Sequence, residues 1–130
     1  MTWKAFLIIL AAIESGGDPT AIGDKHLKQK AYGLYQIRQP YLTDVNRIAK
    51  AEVLERWGRP LVLSDVSGKG SEKIAEWAVK TYLTYYGKHY SKQTGKRPSV
   101  QIYSRIHNGG PSGWSRKSTV KYWLKFKGRM

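Results

Sequence analysis

The chain has 130 residues, with five tryptophans, nine tyrosines, no cysteine, and 23 basic against nine acidic residues for a formal charge of +14. That length suits one domain with its own core, and apolar residues recur along almost all of it, which excludes intrinsic disorder. The lack of cysteine excludes disulfides and thiolate-built zinc sites, and no run reaches the ~18 apolar residues of a membrane span.

Along the chain, residues 3–14 place Trp3, Phe6, Ile9, Leu10 and Ile13 at helical spacing and predict a buried first helix. The apolar run Ala5 to Ile13 after Lys4 also has the outline of a short secretory leader, with Ala11-Ala12 as a processing site. Its single lysine and short length favour the helix. Gly16-Gly17 then stops the helix, and Asp18-Pro19 forms a turn. Residues 17–37 lack helical periodicity and read as a small irregular β-like region. Pro40 opens a second helix through Tyr41, Val45 and Ile48 to about Trp57. After a glycine-rich loop, Ser71-Glu72 starts the longest helix, with Ile74, Trp77, Ala78, Tyr82 and Tyr85 on one face. A helix over 99–107, a rigid turn at 108–113 and a last helix from a Ser118 cap to about Lys127 complete the chain. The expected fold is mainly α (α+β), one domain over residues 1–130, with the β-like region between the first two helices.

The charge is unevenly spread. Residues 1–76 carry 11 basic and nine acidic groups, whereas residues 77–130 carry 12 basic groups and no carboxylate. Such a field implies a polyanionic partner, whether nucleic acid, an anionic membrane or the acidic polymers of a bacterial surface. His26, His89 and His107 show no metal-ligand spacing, so neither metal nor other cofactor is expected.

Glu14 ends the apolar helix beside two glycines, where partial desolvation favours a protonated carboxyl able to donate. The same position also suits a plain solvated residue at the end of a core helix. Glycosidases commonly set two carboxyls across the bond they cut, and Asp24, ten residues on, could face Glu14 across a cleft. Asp24 equally suits an Asx-type turn, and Asp18, before Pro19, reads as one. The segment Ile106-His107-Asn108-Gly109-Gly110-Pro111-Ser112-Gly113 offers an amide that both donates and accepts, with flanking glycines that let backbone reach a ligand.

That segment, taken as Tyr103-Ser104-Arg105-Ile106-His107-Asn108-Gly109-Gly110-Pro111-Ser112-Gly113 with Ser118-Thr119 and Tyr122-Trp123, resembles the invertebrate-type (destabilase-like) lysozymes. Glu14-Ser15-Gly16, Tyr32-Gly33-Leu34-Tyr35-Gln36-Ile37, Pro40-Tyr41, Asp44 and Tyr86-Gly87-Lys88-His89 agree in order and spacing, so the likeness runs from Glu14 to about Lys127. It implies a lysozyme-like fold and cleavage of the β-1,4 bond between N-acetylmuramic acid and N-acetylglucosamine of bacterial peptidoglycan. Glu14 falls on the catalytic acid and Asp24 on the second carboxylate. Tyr35, Gln36, His107, Asn108 and Gly109 are the expected sugar contacts.

The sequence departs from that family in its cysteines, whose usual places hold Gly17, Tyr32, Val45 and Trp114. Apolar packing has to replace the staples, which suits a monomer made in a reducing cytoplasm and released onto the wall, as a phage or bacterial product would be. The serine and lysine linked to isopeptidase activity in some relatives fall on Gln29 or Ala31 and on Arg38, so that activity is not expected. The alternatives are a lytic transglycosylase working with Glu14 alone and, from another class, a basic nucleic-acid-binding module, although no recognised nucleic-acid motif is present.

Overall fold

The computed structural model describes residues 1–130. Six helices carry the chain: α1 (Trp3–Ser15), α2 (Gln39–Ile48), α3 (Lys50–Trp57), α4 (Glu72–Thr94), α5 (Val100–Gly109) and α6 (Val120–Lys127). Two short antiparallel strands, β1 (Ile22–Gly23) and β2 (Ala31–Tyr32), sit between α1 and α2 with Ile22 opposite Tyr32. No helix is long and apolar enough to cross a membrane.

Thr2 begins α1 by accepting the amide hydrogen of Ala5 on its hydroxyl, 3.1 Å away. Gly16 ends it in the left-handed region at φ 67°, where its amide and that of Gly17 return to the carbonyls of Ala12 and Ala11. Phe6, Leu7, Leu10 and Ala11 enter the main core, so cleaving at Ala11-Ala12 as a leader would strip the fold of its first helix.

The expected helix over 40–57 is two helices. Ala49, at φ −112° and ψ 36°, leaves helical geometry, and α3 restarts at Lys50. Neither proline nor glycine marks this break. What fixes it is tertiary: Asn46 donates to the Leu61 carbonyl at 2.9 Å and accepts from the Leu61 amide at 2.8 Å, tying the end of α2 to the loop after α3.

Helix α4 runs through the middle of the molecule. Ala75, Ala78, Val79, Tyr82, Leu83, Tyr86, Gly87 and Tyr90 are buried, while Ile74, Trp77 and Tyr85, expected on the same face, are only half-buried. A helix packed on several sides hides a wider arc than one apolar stripe. Gly87 is where α5 crosses it: a Cβ there would lie 2.8 Å from the Tyr103 ring and 3.1 Å from Pro98. Ser118 does not cap α6. It lies inside a 3-10 turn (Lys117–Thr119), and the side chain that matters is Thr119, which donates to the Gly113 carbonyl at 2.7 Å and accepts from Arg105 Nε at 2.8 Å.

Two of the missing cysteine positions are filled by apolar packing. Val45 is fully buried, and Trp114 meets Tyr90 edge-on at 5.0 Å.

Candidate active site

Three elements converge on Glu14. Helix α1 brings the carboxyl, the last turn of α5 brings His107, and α6 brings Tyr122. The Tyr122 hydroxyl donates to Glu14 Oε2 at 3.0 Å, and His107 Nε2 lies 3.1 Å from the same oxygen. His107 Nε2 is also 3.0 Å from the backbone carbonyl of Tyr35, which can only accept. The ring proton therefore sits on Nε2, shared between the two acceptors, and in the neutral ring Nδ1 accepts from the Tyr41 hydroxyl at 3.0 Å. Tyr41 is held by Tyr82 of α4, the two rings stacked with centroids 3.6 Å apart.

This cluster is almost dry. The His107 side chain is 2% exposed and that of Glu14 is 19% exposed. Burial, followed by the charge of Glu14, holds the Tyr122 hydroxyl far above its ordinary pKa, so it remains a donor across the whole working range. Both donors on Glu14 reach Oε2, and Oε1 receives no hydrogen bond from the protein.

The end of α1 is pinned from below. Ser15 donates through Oγ to the Leu34 carbonyl at 2.8 Å, joining the helix to the tight loop after β2. Tyr32 and Ile37 exchange backbone hydrogen bonds at 3.0 and 2.9 Å across that loop, with Gln36 as its last residue. Gln36 adopts φ 53° and Asp24 φ 52°, the only non-glycine residues in the left-handed region. Strain of this kind, about 1–3 kcal/mol per residue and less for Asp, collects at functional sites. Gln36 keeps its conformation by donating from Nε2 to the carbonyls of Gly33 and Ala21, at 3.0 and 3.3 Å. Gly23 makes room for it, since a Cβ at that position would run into Gln36 Oε1.

A cleft of about 270 Å³ opens over these residues, lined by Glu14, Asp24, Gln36, Arg38, Tyr41, Tyr82, His107, Asn108 and Gly110, with Ala31 and Pro40. Asp24 lies in its wall, 40% exposed, ion-paired with Arg38, which also donates to the Gln29 carbonyl at 2.7 Å. Asp18 lies outside the cleft and binds the amide and hydroxyl of Thr20 at 2.8 and 2.7 Å, as expected of a turn residue. Nowhere do three or more His, Cys, Asp or Glu side chains gather as a metal site would require.

Of the residues picked out from sequence, the structure brings Glu14, Asp24, Gln36, His107 and Asn108 to one cleft and leaves two out of it. The Tyr35 side chain is 2% exposed and borders a different recess, next to Glu76 and Lys80; only its carbonyl serves the site, through His107. Gly109 packs against Thr119, whose Cγ2 a Cβ would meet at 2.5 Å, and it is Gly110 that lines the cleft. Sequence reasoning did not assign roles to Arg38, Tyr41, Tyr82 or Tyr122. Tyr41 and Tyr122 sit within the motif segments, which was the available signal.

No family profile matches the chain. It is 26% identical to an invertebrate-type lysozyme of Ruditapes philippinarum over 95% of its own length and 78% of that protein's. It is 39% identical to a lysozyme of Ostrea edulis over 73% of its own length, but spans only 57% of that protein. Among solved structures it resembles Tapes japonica lysozyme, with a TM-score of 0.68 and 25% identity over 94% of this chain and 85% of that one. A Meretrix lusoria lysozyme with an inhibitor bound shares the fold, at a TM-score of 0.67 over 95% and 86% of the two chains. Fold and site together define a glycoside hydrolase of the lysozyme class. Within it, the proteins that this chain resembles are invertebrate-type lysozymes, and the chain itself carries no cysteine.

Proposed function

We propose that the protein is a muramidase that hydrolyses the β-1,4 bond between N-acetylmuramic acid and N-acetylglucosamine, with Glu14 as general acid. The observation that carries this reading is the convergence of the Tyr122 hydroxyl and His107 Nε2–H on one oxygen of Glu14 at the edge of a cleft. With Oε2 committed to two donors, Oε1 is the oxygen free to carry a proton and pass it to the glycosidic oxygen. Asp24, across the same cleft, then attacks or stabilises the oxocarbenium-like centre, and water completes a retaining reaction with Glu14 as base. His107 and Tyr122 act as positioning residues rather than sugar contacts. Gln36, Asn108 and the Gly110 backbone are the groups left to bind hydroxyls and N-acetyl amides.

One observation favours a second reading. Arg38 occupies the Asp24 carboxylate, so Glu14 is the cleft's only carboxyl not held by a cation. A lytic transglycosylase needs no second carboxylate and closes the muramyl sugar on itself. Mass spectrometry of products from purified peptidoglycan separates the two. Ordinary reducing ends support the hydrolase, and 1,6-anhydro-muramyl ends support the transglycosylase.

The protein works as a single domain over residues 1–130, a monomer acting on bacterial walls, where its carboxylate-free half binds anionic polymers. A Meretrix lusoria lysozyme was solved in complex with Aeromonas hydrophila PliI. A protein inhibitor of that kind is a candidate partner of this chain as well.

A further inference from the structure

We infer that the outer face of α4 is a second peptidoglycan-binding surface, separate from the cleft, that takes a strand of sugar rings whose peptide stems carry free carboxylates. The inference rests on the reading of the protein as a wall-degrading enzyme and names a binding site for the same polymer.

The two sides of α4 differ in kind. Tyr82 faces the cleft, whereas Trp77, Lys80, Thr81, Thr84, Tyr85 and Lys88 line a separate recess of about 390 Å³. At about 100° per residue Trp77, Lys80, Thr84 and Lys88 fall on the arc of the helix turned away from Tyr82, with Thr81 at its side and Tyr85 on the flank nearer to Tyr82. Trp77 and Tyr85 are half-buried, each with ring surface left to solvent. Both rings are fixed in place: Trp57 meets Trp77 edge-on at 5.1 Å, and Arg47 lies 5.7 Å from the centre of the Tyr85 ring. Rings that are exposed and already immobilised lose little entropy when they stack on a ligand.

The charges around them are free. None of the four ion pairs in the protein uses a lysine, so Lys80 and Lys88 are cations without a carboxylate partner. They stand about 12 Å apart along the helix axis, near the length of a disaccharide repeat. No acidic residue follows Glu76 in the chain, and Asp44, on the neighbouring α2, is taken up by Tyr86 Oη at 2.8 Å and by Arg47. Aromatic rings flanked by unpaired lysines complement a chain of sugar rings with acidic peptide stems, because the apolar faces of the sugars stack while the stem carboxylates meet the ammonium groups. A nucleic-acid duplex hides its bases and would leave these rings unused. Because the recess lies behind the cleft, it would hold a strand other than the one being cut, adding avidity on an insoluble wall without a role in turnover.

The test uses the full chain and peptidoglycan freed of its phosphate polymers. The Lys80→Glu/Lys88→Glu double variant changes only exposed side chains, so it should keep the wild-type melting temperature. It should co-sediment with the purified wall roughly tenfold more weakly while hydrolysing a soluble chitooligosaccharide at the wild-type rate. Tyr85→Ala, checked by circular dichroism, should weaken sedimentation in the same direction. Unchanged sedimentation of both variants would overturn the inference, and so would an equal loss on the soluble oligosaccharide, which would place the defect in the cleft. Displacement from the wall by single-stranded oligonucleotide more readily than by soluble muropeptides would assign the face to nucleic acid and overturn it as well. If wild-type protein cuts neither substrate, the muramidase reading fails, while wall binding still decides the surface on its own.

Discussion

Glu14 and Tyr122 lie 108 residues apart in sequence, yet the tyrosine hydroxyl donates to the carboxylate at 3.0 Å, joining the first helix to the last. The acid is thus seated by a helix from the far side of the sequence, and the site exists only once α6 has packed. Tyr122 is 8% exposed and its hydroxyl has no second acceptor in the structure.

Replacing Tyr122 by Phe keeps the ring and removes one of the two donors to Oε2. The carboxylate then keeps only its His107 contact and is held less firmly, so kcat on cell walls should fall while KM changes little. Stability should fall by about 1 kcal/mol, read by urea titration. An unaltered kcat in a folded variant would show that the hydrogen bond does not serve the acid.

Glu14→Gln preserves shape but carries no transferable proton. Positioned acid catalysis contributes about 10²–10⁴ in rate, so clearing of cell-wall suspensions should drop by that factor while the circular dichroism spectrum stays native. Wild-type clearing by this variant would move the active site elsewhere.

Asp24→Asn removes both the second carboxylate and the partner of Arg38. In a retaining hydrolase the loss is a nucleophile or charge stabiliser and should cost at least about 10² in kcat. Asp24 is exposed enough for the melting temperature to change little. Full activity after this substitution would leave Asp24 as the partner of Arg38 and nothing more.

Far from the cleft, Asp65 accepts from Arg59 through both oxygens, at 2.8 and 2.9 Å, and from the Val62 amide at 2.7 Å. The Arg59 hydrogen bonds, with the backbone amide adding to them, hold this carboxyl below its ordinary value. A group depressed in the folded state contributes stability that is present above its unfolded pKa of about 3.9 and is lost as pH falls through the folded value. Asp65→Asn should cost about 1 kcal/mol at pH 7, discounted for the exposed arginine, and the gap to wild type should narrow as pH falls below the unfolded value of about 3.9. A gap that persists at low pH would trace to packing rather than charge.

Periodicity and punctuation alone determined α1, α4 and α5 to within a residue or two, because apolar spacing, the glycines at 16 and 95 and Pro98 are local signals. The order of Glu14, the Gln36 loop and the His107-Asn108 turn was equally legible, since close backbone approach and left-handed turns demand particular residue types. Three features were not. The break at Ala49 has no local cause and depends on Asn46 reaching Leu61. Ser118 looks like a cap, but the packing of Arg105 and Gly113 makes Thr119 the hydroxyl that is used. Tyr35 has the composition of a sugar-stacking residue, yet its side chain is drawn into the core and only its carbonyl is left for His107. Sequence thus fixes which groups are available and how the backbone bends near them. Whether a tyrosine faces ligand, core or carboxylate is decided by helices meeting from distant parts of the chain, because a hydrogen bond across 108 residues leaves no periodic trace.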